Sequence, residues 1–325
     1  MALPLGLAVG GADHPQAHTR RLTWVDRAEA LGLHSVWLPE GHFTPGASAS
    51  PLVVLAAFAA RTRRLRLGTT SLLISIHHPL RVAEEVSVLD AISGGRVWLG
   101  LGRGFRAPLF GGFGVAAKTK RDRFDEAVDA LLDAWSGEPV VLEGTHFDTG
   151  GREVRAALRP VQRPHPPLLV AAFGRKGLRQ AAVRGLPYLA SPLEPLDLLA
   201  ENHAFHREHL AKPIDPGVAK APVMRTVFVA RDDLEAARVH AGLEAEASRL
   251  PAGRLPPALA RAAEGGVDDR AIIGTRERVR EGIERYREAV GMDLLVARTQ
   301  VPGVDDGAQA ASLEQLAELC EGLDA

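Results

Sequence analysis

Residues 65–104, LRLGTTSLLISIHHPLRVAEEVSVLDAISGGRVWLGLGRG, decide how this chain folds. Two apolar runs, 65–74 and 97–102, flank a segment with helical character over 79–93. Pro79 stands where a first helical residue tolerates a missing N–H. The stretch SGGR at 93–96 stops the helix and turns the chain into the second run. Strand, helix, strand in this spacing is a βαβ unit, and such a unit demands a parallel sheet.

The same alternation extends in both directions. Strands are predicted at 3–9 and 34–38 before this segment, with helices at 17–31 and 51–62. After it come a helix at 121–136, strands at 168–172 and 187–190, and helices at 176–184 and 195–210. The remainder gives strands at 222–230, 271–273 and 293–298 and helices at 233–248, 276–290 and 312–322. Residues 138–166 break the rhythm with turn signals and short β-like pieces, so an inserted hairpin and loop is expected there. About eight βα units with buried strands predict a (β/α)8 TIM barrel with insertions in the βα loops, one domain over 1–325. An open doubly wound sheet is the structural alternative.

Composition sets limits. The chain has 325 residues, 46% hydrophobic and 24% charged, with a formal net charge of -1. No global field draws it to nucleic acid or an anionic membrane. No apolar run approaches the ~20 residues of a spanning helix. A single cysteine, Cys320, provides no internal disulfide and fits a reducing compartment, so a cytoplasmic protein is expected. That cysteine and the absence of a Gly-x-Ser-x-Gly elbow leave nucleophilic acyl chemistry without support.

Barrel enzymes place their chemistry where strands end. The strand at 34–38 ends in VWLPEGHFT (36–44), which delivers Glu40, Gly41 and His42. Glu40 as structural partner of an arginine is the plainer expectation; His42 is the candidate proton donor. The strand at 97–102 ends in GLGRGFRAPLFGGFG, where Arg103 can meet a phosphate. The Gly102, Gly104, Ala107 spacing imitates a dinucleotide fingerprint, but Pro108 and further glycines follow where that motif needs a helix. FGRKG at 173–177 opens a helix whose free N–H groups, with Arg175 and Lys176, favour an anion, and Gly174 and Gly177 allow close approach. His77 and His78 are adjacent on an extended segment and point to opposite sides, so they are read as shaping the turn before Pro79 and no metal is expected. His203, His206 and His209 are read as a solvated helix face. Phe105, Phe110 and Phe113 suggest an apolar lid, and the loops 104–120 and 251–270 are where substrate specificity is expected.

Together, GLHSVWLPEGHF (32–43), the 65–104 segment, RPVQRPHPPLLVAAFG (159–174), IIGTRERVREGI (272–283) and RTQVPG (298–303) resemble the bacterial luciferase-like monooxygenase family. The resemblance implies a flavin-dependent oxidoreductase, with a two-component monooxygenase as the leading reading. Such an enzyme uses reduced FMN from a separate flavin reductase, and O2, on a small organic substrate, and often forms a homodimer. It implies that Arg103 and the turn Gly174, Arg175, Lys176, Gly177 hold the flavin phosphate. It also implies a cis peptide at Thr70–Ser71 beneath the flavin ring, and Glu40 beside the cofactor. The family pattern Glu-His-His-Phe becomes Glu40-Gly41-His42-Phe43 here, so the first histidine is missing. Two alternatives stay open: a deazaflavin (coenzyme F420) hydride-transfer enzyme, and a flavin-binding protein without turnover.

Overall fold

The computed structural model describes residues 2–10, 16–43, 48–248, 260 and 265–323. In chain order its first half holds β1 (Leu5–Ala8), α1 (Gln16–Ala30), β2 (Ser35–Leu38), α2 (Pro51–Arg61), β3 (Arg66–Thr69), β4 (Leu72–Leu73), α3 (Pro79–Ser93), β5 (Val97–Gly102), α4 (Ala107–Gly112), α5 (Lys120–Ser136) and β6 (Leu168–Ala171). Then follow α6 (Arg175–Val183), β7 (Tyr188–Leu189), α7 (Leu196–Glu208), β8 (Pro222–Val229), α8 (Asp233–Ser248), β9 (Ala271–Gly274), α9 (Arg276–Val290), β10 (Leu294–Arg298) and α10 (Asp306–Glu321).

The chain divides into two compact units. The first comprises Gly10–Glu29 and Trp37–Ala171; the second comprises Met1–Val9, Ala30–Val36 and Ala172–Ala325.

In the first unit the strands lie in the order β6-β5-β3-β2, with β4 also paired to β5. The pairings of β5 with β3, β4 and β6 are parallel, with Leu67 opposite Val97 and Leu99 opposite Leu168. Parallel strands need helical crossovers, and α2, α3 and α5 supply them. Leu55, Phe58, Leu67, Leu99 and Phe124 are essentially inaccessible, and burial of each such side chain contributes about 1.5–3 kcal/mol. Trp37 is fully buried. It fits because Gly68 lacks a side chain: a Cβ there would lie 2.2 Å from its ring. The Arg96 guanidinium binds the carbonyls of Ala59, Thr62 and Leu65, which closes the end of α2 onto the start of β5. Residues 138–166 contribute two isolated antiparallel bridges, Val140 with Val154 and Glu143 with Asp148.

In the second unit β1, β10, β8 and β9 follow one another. The pairings of β10 with β1 and β8, and of β8 with β9, are again parallel. A cluster of Phe228, Ala236, Val239, Leu243, Val267 and Val301 seals α8 against the sheet. Arg225, in the middle of β8, is completely buried. Its guanidinium binds the carbonyls of Met224 and Glu194 and the Tyr286 hydroxyl.

Four expectations need correction. The predicted strand 65–74 is two strands, because the chain bends at Thr70–Ser71, whose peptide is cis. The Gly-rich loop after β5 contains α4, with Pro108 in its first turn. The last helix starts at Asp306 rather than 312, because the Asp305 carboxylate caps it by accepting from the Ala308 N–H. His203 and His206 are buried rather than solvated: His203 packs on Tyr188, and the His206 Nε2 meets the Leu186 carbonyl. Among the described residues no helix is long and apolar enough to cross a membrane. Residues 251–259 and 261–264, most of the second specificity loop, lie outside the described residues.

Candidate active site

The first unit gathers Glu40, His42, Thr70, Ser71 and Arg103 at the ends of β2, β3 and β5. β2 stops at Leu38 because Pro39 follows it. Glu40 then anchors the turn through its backbone, donating its N–H to the Ser71 carbonyl, while the Thr70 N–H reaches the Leu38 carbonyl. The end of β5 approaches the same segment. A Cβ on Gly102 would stand 2.0 Å from the Ser71 hydroxyl, so only glycine permits this contact.

The Glu40 side chain is fully buried, and its partners are not arginines. Oε1 faces two imidazoles, the Nε2 of His42 at 2.8 Å and the Nε2 of His77 at 2.7 Å. Oε2 accepts the Leu73 N–H. Burial pushes the Glu40 carboxyl up, but the bonds from His42 and His77, the charge on His77 and the Leu73 N–H outweigh it and hold the group below its ordinary value. An ionised Glu40 only accepts, and it then takes an N–H from the Nε2 of each ring. The Nδ1 atom of each ring is left to face away from Glu40.

The sequence marked His77 only as part of a turn. The turn is real: His77 closes Ile74–Ile76 by donating its N–H to the Ile74 carbonyl, and His78 precedes α3. The two rings do diverge, His78 onto Phe147 and His77 onto Glu40. Adjacency signalled the divergence, but nothing local signals a partner 37 residues away.

One donor atom each from Glu40, His42 and His77 lies within 4.8 Å of the others. The two contacts to Oε1 have hydrogen-bond lengths, whereas ligands on a tetrahedral ion with bonds of 2.0–2.1 Å sit about 3.3 Å apart.

Aromatic rings border His42. Phe113 meets it edge-on at 4.8 Å, and Phe43 lies 5.3 Å from Phe113. Phe43 is 62% exposed, and its φ of 57° is unusual for a residue with a side chain. Of the expected lid, Phe110 instead joins the core with Ile76 and Leu109.

Arg103 follows β5, with its guanidinium over the Phe124 ring. Burial, and then the charge of Arg121, lower it to about 10 against the pull of Asp125. Lys120 is lowered by burial and by Arg103 and Arg121. Arg103, Lys120 and Arg121 thus influence one another, with Asp125 among them. The turn Gly174–Gly177 belongs to the second unit. There Gly174 has a φ of 111°, where a side chain would be strained. Arg175 lies over Phe205 at 4.4 Å, and Lys176 is exposed. Cys320 is buried with its thiol pushed up to about 12, which makes it inert.

The family model of luciferase-like monooxygenases matches residues 5–293. The solved monooxygenase RslO1 from Streptomyces bottropensis is 30% identical and superposes with a TM-score of 0.85 over 97% of this chain and 98% of its own. The oxygenase component of the flavin-dependent trigonelline monooxygenase of Acinetobacter baylyi is 28% identical over 51% of this chain and 46% of its own. The F420-dependent glucose-6-phosphate dehydrogenase of Kineococcus radiotolerans is 32% identical over 61% of this chain and 60% of its own. The chain spans about half the length of the curated relatives it matches.

Proposed function

The chain belongs to the luciferase-like monooxygenase family, and from that premise we propose that it is the oxygenase component of a two-component system. It takes reduced FMN from a flavin reductase and uses O2 to oxygenate a small organic substrate. The observation that carries this reading is the position of Arg103, over Phe124 at the end of β5 and beside the contact between Gly102 and Ser71.

Bound reduced FMN supplies the oxygen chemistry. Arg103, with Lys120 and Arg121, holds its phosphate. The Thr70–Ser71 segment offers backbone at close range to a planar ring. Glu40 fixes His42 with its Nε2 hydrogen inward, so that the Nδ1 atom faces away from the carboxylate and exchanges the proton the reaction requires. Phe43 and Phe113 keep water from that imidazole. In the second unit, Gly174 and the N-terminus of α6 form a further anion-directed turn.

The reading carries with it a (β/α)8 barrel formed by the whole chain, supported by parallel βα units in both halves and by the likeness to RslO1. A homodimer is supported by the exposed Val53, Val88 and Ile92 of α2 and α3. A cytoplasmic location is supported by the single, reduced cysteine.

The second reading, F420-dependent hydride transfer, draws on the Kineococcus relative and on exposed Lys176. Turnover separates both from a silent flavin binder.

The test is a pair of titrations, FMN and riboflavin, with wild type and Arg103→Met. Wild type is expected to prefer FMN at least about tenfold, and the variant to lose that preference. Equal affinity of wild type for both molecules overturns the phosphate assignment.

A further inference from the structure

Glu40 carries two imidazoles on one oxygen, while the reaction proposed above uses one. The second comes from His77, which approaches the carboxylate from the turn after β4. Gly41, beside Glu40 in the chain, supplies no side chain. The luciferase-type pattern has a histidine there; in this chain the extra imidazole arrives from a different segment.

The three groups cannot behave independently. One carboxylate charge faces two rings, and the facing atoms all lie within 4.8 Å. The first proton on the pair is compensated by Glu40. A second would put two positive charges at that separation with only one negative charge between them. Such groups titrate as a unit, and each ring senses the proton on the other. The neighbouring α5 brings charges of both signs, with Asp122, Asp125 and Glu126 beside Lys120, Arg121 and Arg123. From α5, which packs on the 74–76 turn, Arg123 binds the Ser75 carbonyl and Lys120 accepts the Ser75 hydroxyl through its own carbonyl. Arg106, ahead of α4, lies over Phe105, and His78 turns to Phe147. The rings also differ in access: the His77 side chain is 30% exposed and that of His42 is 9% exposed. The unit therefore has an outer, wetter end and an inner end bordered by Phe43 and Phe113.

We propose that His77 is a positioning residue acting through Glu40, and that His42, Glu40 and His77 form one unit that carries a single imidazolium charge across its two rings. For the flavin reaction, on whose assignment this role rests, the unit keeps a proton available at a water-poor imidazole. His77, through the carboxylate charge it shares, sets how firmly His42 holds that proton.

The test is an NMR pH titration of both imidazoles in flavin-free protein, with a chelator present to remove adventitious metal. In wild type each ring signal is expected to show two steps, at least about tenfold apart in proton affinity. In His77→Gln, which keeps an N–H donor without a titrating ring, the His42 signal collapses to one step. His42→Gln does the same to the His77 signal, and it carries the test should His77→Gln fail to fold. Independent single-step curves in wild type, unchanged by loss of the other ring, overturn the proposal. With reductase and substrate, the acid limb of the rate profile is expected to sharpen in His77→Gln and to keep its wild-type breadth if His77 is merely structural. Failure of FMN binding would leave the ring coupling intact, and failure of the coupling would leave FMN binding intact, so the two assignments fall separately.

Discussion

Each unit of this protein buries a glutamate, and the two are used in opposite ways. Glu40 has a fully buried side chain, yet one of the two rings it bonds, that of His77, reaches toward solvent. Glu194, in the second unit, is equally buried and bonds the Tyr188 hydroxyl, the Asn202 amide and the Ser191 N–H. Burial is the largest influence on both carboxyls. At Glu40 the two histidines and the Leu73 N–H overcome it, and the group is lowered. At Glu194 burial wins over Tyr188, Ser191, Asn202 and the Arg225 charge, and the group is raised. Arg225 nearby spends its guanidinium on carbonyls and the Tyr286 hydroxyl. His203 sits on Tyr188 and is driven down to about 3 by burial. The second cluster is sealed and holds its elements together. The first keeps a charge within reach of water, which chemistry requires.

The largest effect should come from Glu40→Gln. Loss of the carboxylate removes the charge that fixes both rings, and kcat per folded molecule in a reductase-coupled assay is expected to fall about 10²–10⁴-fold, a larger effect than its loss of stability at neutral pH. A strongly destabilised but active variant would make the two clusters alike.

Glu194→Ala is the converse. It strands the Tyr188 hydroxyl, the Asn202 amide and the Ser191 N–H inside the protein, and urea unfolding is expected to show a loss of about 3 kcal/mol. Turnover per folded molecule should stay near wild type.

The pH dependence of stability should run in opposite directions. The carboxyl of Glu40 is depressed from 4.5 by folding, so its contribution is present above that value and is lost as pH falls through the lower folded value. Glu194 is raised from 4.5, so its contribution is full below that value and fades as pH rises toward the higher folded one. Denaturation at several pH values should therefore show Glu194→Gln gaining on wild type as pH rises from acid to neutral. Glu40→Gln should lose ground to wild type over the same range. Parallel curves for the two variants would remove the distinction.

The smallest effect is Tyr188→Phe, which deletes one donor to Glu194. A loss of about 1 kcal/mol is expected by the same unfolding measurement, with no change in kcat.

The alternation of strand and helix was legible along most of the chain because apolar spacing is a local property. The placement of Glu40, His42 and Arg103 at strand ends was legible for a related reason: they follow apolar runs directly, and strand ends are where barrels present side chains. What escaped depended on distance or on cover. His77 lies in the chain beside Pro79, but its partner is delivered by β2. His203 and His206 recur at helical spacing, and spacing alone does not say whether that face meets water or Tyr188. α4 was hidden by Gly111 and Gly112, poor helix formers, although Pro108 marked its start. The early start of α10 had a readable signal in Asp305, whose carboxylate caps it. Arg225 gave no local sign, since a charged residue inside an apolar strand finds its carbonyl partners only once the second unit has folded.

The most direct test of the account is an anaerobic titration of wild type with reduced FMN and, separately, reduced deazaflavin, followed by admission of oxygen with candidate substrates. Tighter binding of reduced FMN, with oxygen consumed in proportion to product and consumption abolished in Glu40→Gln, is the predicted result. Tighter binding of the deazaflavin, with hydride transfer that proceeds without oxygen, would contradict it.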